Sequence, residues 1–376
     1  MKSVSILFFV LLLLGACGQR KQEPVVTPWG EVMDSVPADD GIDLDDIQRN
    51  GELIALTLSG PETYYDYHGR HLGTQYLLAQ RFAERLGVSL RMEVCRDTAE
   101  MLQRLGDDEA DLICYPLTKD GPGWLTGAEK ENLKRELHAW YKPSMLVEVK
   151  KMEDYMLSAR SVRRRVFSPM LNREGGVISH YDAYFQRYAA NIRWDWRLLA
   201  AQCYQESTFD PQAHSWAGAC GLMQIMPATA DHLGLSRSKL FHPEENIAAA
   251  VRYLEELENS FSDVRERSER TKFVLAAYNG GGFHIRDAMA LARKHGRNDH
   301  LWRDVEPFVL GLSQPQYYND PVVKNGYMRG SETVDYVRRI HERWNGYRGV
   351  KTIHSASGPS GIPQKAKRER KKKFQI

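Results

Sequence analysis

One carboxyl group stands out by its surroundings. In the run Leu198 to Pro211, Asp195 upstream is a good helix N-cap, and Trp196, Leu199, Cys203 and Glu206 recur at intervals of three, four and three residues. The spacing predicts a helix whose apolar stripe ends in Glu206, followed by Ser207. A carboxyl pressed against apolar neighbours loses hydration, its pKa rises, and it stays protonated near neutral pH, which suits a general acid. The same residues also read as an amphipathic helix whose last residue frays into solvent.

Three further segments carry polar, aromatic and glycine residues: Gly218-Ala-Cys-Gly-Leu-Met-Gln-Ile-Met-Pro227, Ala276-Ala-Tyr-Asn-Gly-Gly281 and Glu332-Thr-Val-Asp-Tyr-Val337. Taken singly they have plain structural readings. Met223, Ile225 and Met226 fit a core. Tyr278 ends the apolar helical stretch Phe273 to Ala277 and fits half-buried packing. Gly280 to Gly282 fit a helix stop, and Tyr336 lies one turn before Ile340, on which it can pack.

Taken together and in this order with Glu206-Ser207, the segments closely resemble the lytic transglycosylase (SLT) domain, whose fold is related to goose-type lysozyme. The resemblance covers about residues 177 to 347. Ile178 to Phe185 and Asp195 to Ala200 extend it to the membrane-bound lytic transglycosylase F type. It implies that Glu206 is the single catalytic acid/base for peptidoglycan. Glu206 would protonate the glycosidic oxygen between N-acetylmuramic acid and N-acetylglucosamine, then take the C6 hydroxyl proton as a 1,6-anhydro ring closes, with no second carboxylate required. It also implies that Ser207, Met223, Gln224, Tyr278, Asn279 and Tyr336 contact the glycan, that Gly221 supports the groove, and that Glu332 organises hydrogen bonds. Cys203 and Cys220 fall on segments expected to converge there, so they pair as a disulfide or sit as two small buried thiols. Gly-Gly-Gly after Ala-Tyr-Asn departs from the family's usual Ala-Gly or similar pair and alters a turn.

The chain start gives a compartment. Lys2 precedes the apolar run Ile6 to Leu14, too short for a mature membrane span and right for a signal peptide, and it leads into Leu14-Gly-Ala-Cys17. This matches a bacterial lipobox, with residues 1–16 removed and Cys17 lipidated. Without Asp after Cys17, the resemblance to Gram-negative lipoproteins implies an outer membrane location facing the periplasm.

The remaining length suits two domains. With 42% apolar and 27% charged residues, the composition is that of a soluble globular protein. Its net charge of +2 hides six Asp in Asp34 to Asp46 and seven basic residues in Lys365 to Lys373. The basic stretch reads as a solvated, disordered tail (348–376) or a hold on anionic envelope polymer. Nucleic acid does not fit behind a signal peptide.

After an acidic linker (17–46), an αβ pattern fills 47–150. It has strands over Glu52 to Leu58, Val88 to Val94 and Asp111 to Tyr115, and helices over Thr74 to Leu86 and Thr98 to Leu105, which favours a parallel sheet. It resembles the first lobe of periplasmic solute-binding domains, with the second lobe largely missing, so Tyr64, Tyr65 and Tyr67 pack or contact a partner. The Arg-rich stretch 151–176 reads as a helical connector, and 177–347 as the catalytic domain. The expected fold class is thus α+β and multidomain, a small α/β lobe followed by a mainly α-helical lysozyme-like domain. Cys95 and Cys114 lie on or near strands, paired or free.

The 12 His are scattered, and His214, His232 and His242 lack zinc-site spacing, so neither metal nor organic cofactor is called for. The expected partners are glycan strands and, through the lipid, a membrane. Two other functions remain open: a binding or sensor lipoprotein with a vestigial domain, and a hydrolytic muramidase using Asp210, Asp231 or Glu244 as second carboxylate.

Overall fold

The computed structural model describes residues 43–348. The stretch read as a signal peptide, Cys17, most of the stretch read as an acidic linker and the basic stretch past Arg348 lie outside the described residues.

The last acidic residues are helix rather than linker. Asp43 caps α1 (Leu44–Asn50), accepting from the Leu44 N–H at 2.7 Å, and also takes the N–H groups of Asn132 and Leu133 at 3.0 Å each. Asp45 and Asp46 occupy the first turn, where the helix dipole favours negative charge. Ile47 is buried in the core of the lobe, so this helix packs as part of it.

The lobe continues through β1 (Glu52–Leu58), the hairpin β2 (Tyr65–Tyr67) and β3 (Arg70–Leu72), α2 (Thr74–Leu86), β4 (Ser89–Cys95), α3 (Thr98–Gly106), β5 (Leu112–Ile113), β6 (Leu125–Thr126), α4 (Glu131–Trp140) and α5 (Pro143–Met156). The sheet order is β4-β1-β5-β6, with β1 parallel to both neighbours and only β6 antiparallel. Because side chains alternate along a strand, Leu53 and Ala55 of β1 join Leu78, Phe82, Leu133 and Val149 on one face. Leu56 joins Met101 and Ile113 on the other. The predicted strands and helices form, the third strand shortened to Leu112–Ile113; the β2–β3 hairpin, β6 and α4 had no reading in the sequence pattern.

The connector differs from its expected helical form. Its first residues belong to α5, which packs on α2 through the buried Glu153. That carboxylate accepts from the Tyr65 hydroxyl at 3.0 Å and from Gly73 N–H and Thr74 Oγ1 at 3.1 Å each. Beyond a short 3-10 turn, β7 (Val162–Arg163) pairs antiparallel with β8 (His214–Ser215), and the Arg165 N–H donates to Asp210 at 2.6 Å. The stretch is held to the second domain as strand, not as a free helix.

The second domain is helical: α6 (Asp182–Ala189), α7 (Trp196–Ser207), α8 (Pro227–His232), α9 (Pro243–Ser260), α10 (Arg267–Gly280), α11 (Gly282–Lys294), α12 (Trp302–Gly311), α13 (Pro315–Tyr318) and α14 (Gly330–Tyr347). α7 lies between α6 and α14 in one continuous apolar core. Trp344 of α14 donates to Asp195, the α7 N-cap, at 3.0 Å.

The two domains meet at the segment before α14. Tyr327, from the segment before α14, packs edge-on to Tyr65 and Tyr318, and its N–H donates to Ser59 Oγ at 2.8 Å. Beside this contact a cavity of about 450 Å³ remains, lined by Ser59, Thr63, Tyr115, Glu153 and Arg329 among others. The expected tyrosine cluster packs: Tyr64 stacks on His71, Tyr65 bonds Glu153 and Tyr67 bonds Glu332.

Candidate active site

α7 delivers Glu206 to the wall of a groove of about 850 Å³. Asp195 caps the helix, accepting from the Arg197 N–H at 3.0 Å, and Thr208 ends it in the left-handed conformation, so Glu206 sits in a formed last turn rather than a frayed end. Arg164 of the connector donates to the Glu206 carbonyl at 3.0 Å, a cation where the helix dipole favours one.

The carboxyl is only partly exposed, and its surroundings are mostly protein. Burial pushes its pKa up to about 7. The Tyr336 hydrogen bond, His68 and Arg164 act in the lowering direction, and Glu332 adds to the rise. The Tyr336 bond is short, 2.5 Å from the phenol oxygen to Glu206 Oε1. Tyr336 in turn accepts from Gln202 Nε2 at 3.2 Å, which turns its own proton toward Glu206. The relay fixes Oε1 as an acceptor and leaves Oε2 as the oxygen that can carry and deliver a proton.

The expected contacts separate into two groups. Gln224, Tyr278, Asn279, Glu332 and Tyr336 line the groove with Glu206. Tyr278 donates to the Met223 carbonyl at 2.8 Å, and Asn279 accepts from Thr333 at 2.7 Å. Glu332 has burial working against its charge, yet the His68 and Tyr67 hydrogen bonds and Arg329 hold its pKa below the usual glutamate value. Tyr336 packs in the core as well as facing the groove.

Ser207 and Met223 do not line the groove. Ser207 is fully buried, and its hydroxyl donates back to the Cys203 carbonyl at 3.1 Å, because one helical step from Glu206 rotates it away. The Met223 side chain is core, and only its carbonyl, held by Tyr278, bears on the groove. Cys203 and Cys220 are free buried thiols, not a disulfide: each sulfur faces a carbonyl, Leu222 at 3.4 Å and Gly218 at 3.2 Å. Cys95 and Cys114 are also free and buried.

Gly221 sits in a tight turn beside Leu240 and Asn246. It has φ +77, and a Cβ there would lie 2.5 Å from the Leu240 carbonyl and 2.6 Å from Asn246 Nδ2. Asn246, which the sequence did not flag, is fully buried, takes the Met223 N–H at 2.8 Å and donates to Cys220 and Leu240 carbonyls. It clamps the turn that carries Gln224.

The other wall was not foreseen. Tyr67 and His68, at the tip of the β2–β3 hairpin, reach across to Glu332: the Tyr67 hydroxyl lies 3.0 and 3.1 Å from its oxygens and His68 Nε2 3.3 Å. The Tyr67 ring lies parallel to Trp216 with centroids 6.1 Å apart, and Arg70 donates to the Ala217 carbonyl at 3.1 Å. The N-terminal lobe thus contributes to the groove that holds Glu206. Asp210, Asp231 and Glu244 lie off the groove, engaged by the Arg165 N–H, by Arg237 and by Arg187 with Tyr188.

A helical domain with a desolvated glutamate in a groove is the arrangement of glycan-cleaving domains of the lysozyme type. Residues 183–301 match the Transglycosylase SLT domain. It is similar to proteins named Membrane-bound lytic murein transglycosylase F. The one from Desulfosudis oleivorans is 40% identical over 147 residues, 39% of this chain and 32% of the relative. The one from Enterobacter sp. is 28% identical across 79% of each chain. The chain spans about a third of the length of the first of these in that match. Among solved structures, lytic transglycosylase Slt (inactive mutant E503Q) of Pseudomonas aeruginosa is 26% identical over 44% of this chain and 23% of its own, with a TM-score of 0.32.

Proposed function

We propose that this protein is a peptidoglycan lytic transglycosylase in which Glu206 is the sole acid/base. The observation that carries the reading is the Glu206 carboxyl, desolvated to a pKa of about 7 and oriented by Tyr336 inside a long groove. Near neutral pH such a group is divided between its two forms and serves both half-reactions. Protonated Oε2 gives its proton to the glycosidic oxygen as the bond from C1 of N-acetylmuramic acid breaks. The carboxylate so formed takes the proton of the C6 hydroxyl while O6 bonds to C1, closing the 1,6-anhydro ring and restoring the acid. Glu332, a groove carboxylate that acts on the charge of Glu206, is engaged by Tyr67 and His68 and serves as a fixed negative charge rather than a base for water.

The same reading holds the protein at the cell envelope, tethered through Cys17 to the outer membrane, as the lipobox suggests and as relatives named membrane-bound support. No helix among the described residues is long and apolar enough to cross a membrane.

Digestion of purified peptidoglycan with the chain lacking its first 17 residues, followed by mass spectrometry, tests this. Anhydro ends, lighter than reducing ends by one water, are expected. Reducing ends would mean hydrolysis with Glu332 as the second carboxylate, and cell-wall binding without release would mean a sensor. Glu206→Gln should abolish release with the fold intact.

A further inference from the structure

Phe283 is 77% exposed, whereas the other phenylalanines among the described residues are far better buried. Single exposed apolar side chains are ordinary, and Val166, at 76%, is one that lies off the groove. Phe283 differs in its place and its neighbours. It lines the groove at the start of α11, next to His284, which lines it too. His284 is 8% exposed and lines the groove; its Nδ1 is buried with no hydrogen-bond partner, so the protein leaves the ring unanchored and only its groove-facing edge is open to a ligand. Burial lowers the pKa of this imidazole, so near neutral pH it can both donate and accept. Gly281 and Gly282 precede the ring, and a Cβ on either would meet nothing within 4 Å, so the surface beside Phe283 is open. Asp66, from the hairpin of the N-terminal lobe, lines the same groove near enough to His284 to act on its charge.

A bare aromatic face beside an unsatisfied hydrogen-bonding ring, inside a polar groove, suits a pyranose. The C–H bonds of the sugar's flat face pack on the ring, while its hydroxyl and acetamido groups bond to the imidazole and carboxylate. We propose that Phe283 and His284, with Asp66 of the N-terminal lobe, form a subsite for an N-acetylated sugar of the glycan strand. This rests on the groove being a glycan site, and deepens it by assigning one sugar contact to residues outside the catalytic relay.

The test is calorimetric titration of Glu206→Gln, which leaves strands uncut, with soluble N-acetylglucosamine oligomers of increasing length. Affinity is expected to rise with length, and adding Phe283→Ala should weaken the longest oligomers roughly fivefold, as loss of one stacking contact does, while Phe283→Tyr keeps them bound. Val166→Ala is the matched control for an exposed apolar truncation. Equal affinities in Phe283→Ala and Val166→Ala at every length overturn the proposal, as does an absence of oligomer binding. A loss confined to ligands bearing peptide stems also overturns it, assigning the surface to peptide. If oligomers bind through Phe283 while the chain with Glu206 intact releases nothing from peptidoglycan, the transglycosylase reading fails and the subsite stands.

Discussion

The two walls of the groove are built differently. On the helical side, each polar group is fixed by a buried partner: Gln202 orients Tyr336, Tyr336 orients Glu206, and Asn246 clamps the turn before Gln224. On the lobe side, Tyr67 and His68 sit at the tip of a short hairpin, with His68 at φ +48 and Gly69 at φ +69, and they are held by contacts made across the domain boundary. A buried network tolerates little change, whereas a half-exposed tip can lose one bond and keep its place. On the proposed function, the buried relay of the helical wall would serve the bond-breaking step, and the hairpin of the lobe wall would add only to the hold on the strand.

Substitutions on the helical wall should accordingly weigh most. Glu206→Gln removes the transferable proton and is expected to lower turnover by at least about a thousandfold, on the scale of lost acid catalysis, with unchanged binding of oligomers. Residual turnover within tenfold of wild type would remove Glu206 from the mechanism. Gly221→Ala is next: the left-handed backbone and the clash with Leu240 and Asn246 should cost about 3 kcal/mol in denaturant unfolding. A cost below about 0.5 kcal/mol, the size of an ordinary surface change, would mean the turn is not fixed.

Tyr336→Phe tests the relay through pH. Its hydrogen bond favours ionised Glu206, so its removal raises a pKa already at about 7. The acid step needs the protonated form, and activity falls as pH rises through that pKa, so the basic limb should move to higher pH. Turnover should fall roughly tenfold to a hundredfold, because the proton-bearing oxygen is no longer fixed. A limb moving to lower pH would contradict the relay.

How far the sequence foretold these walls follows from the same contrast. The spacing from Asp195 to Glu206 placed the carboxyl on the buried stripe of α7, and the αβ alternation gave the sheet of the lobe, because both patterns repeat within one element. Ser207 was misjudged because residues adjacent on a helix face different ways, and Met223 because a motif gives a segment but not which of its atoms meets the groove. Of the two readings open for Cys203 and Cys220, the buried thiols hold, because converging segments do not make converging sulfurs. The Tyr67 to Glu332 contact spans 265 residues between a three-residue strand and a helix, and no local periodicity carries such information. Phe283 carried no sequence signal beyond the glycines before it.

The smallest expected effect is also the sharpest test of the division between the walls. Tyr67→Phe keeps the ring on Trp216 and deletes only the hydroxyl that meets Glu332. Glu332 retains His68 at 3.3 Å and Arg329 at 3.8 Å, and its side chain is 37% exposed, so water can take part of the lost bond. The loss should therefore fall at the low end for a hydrogen bond to a charged group, and KM for glycan strands should rise roughly threefold with kcat moving much less. Because Glu332 adds to the rise in the Glu206 pKa, any loosening of its carboxylate moves the basic limb slightly downward, opposite to Tyr336→Phe. A fall in kcat as deep as that of Tyr336→Phe, with KM unchanged, would show that the hairpin acts in the bond-breaking step, and the division between a chemical wall and a holding wall would have to be given up.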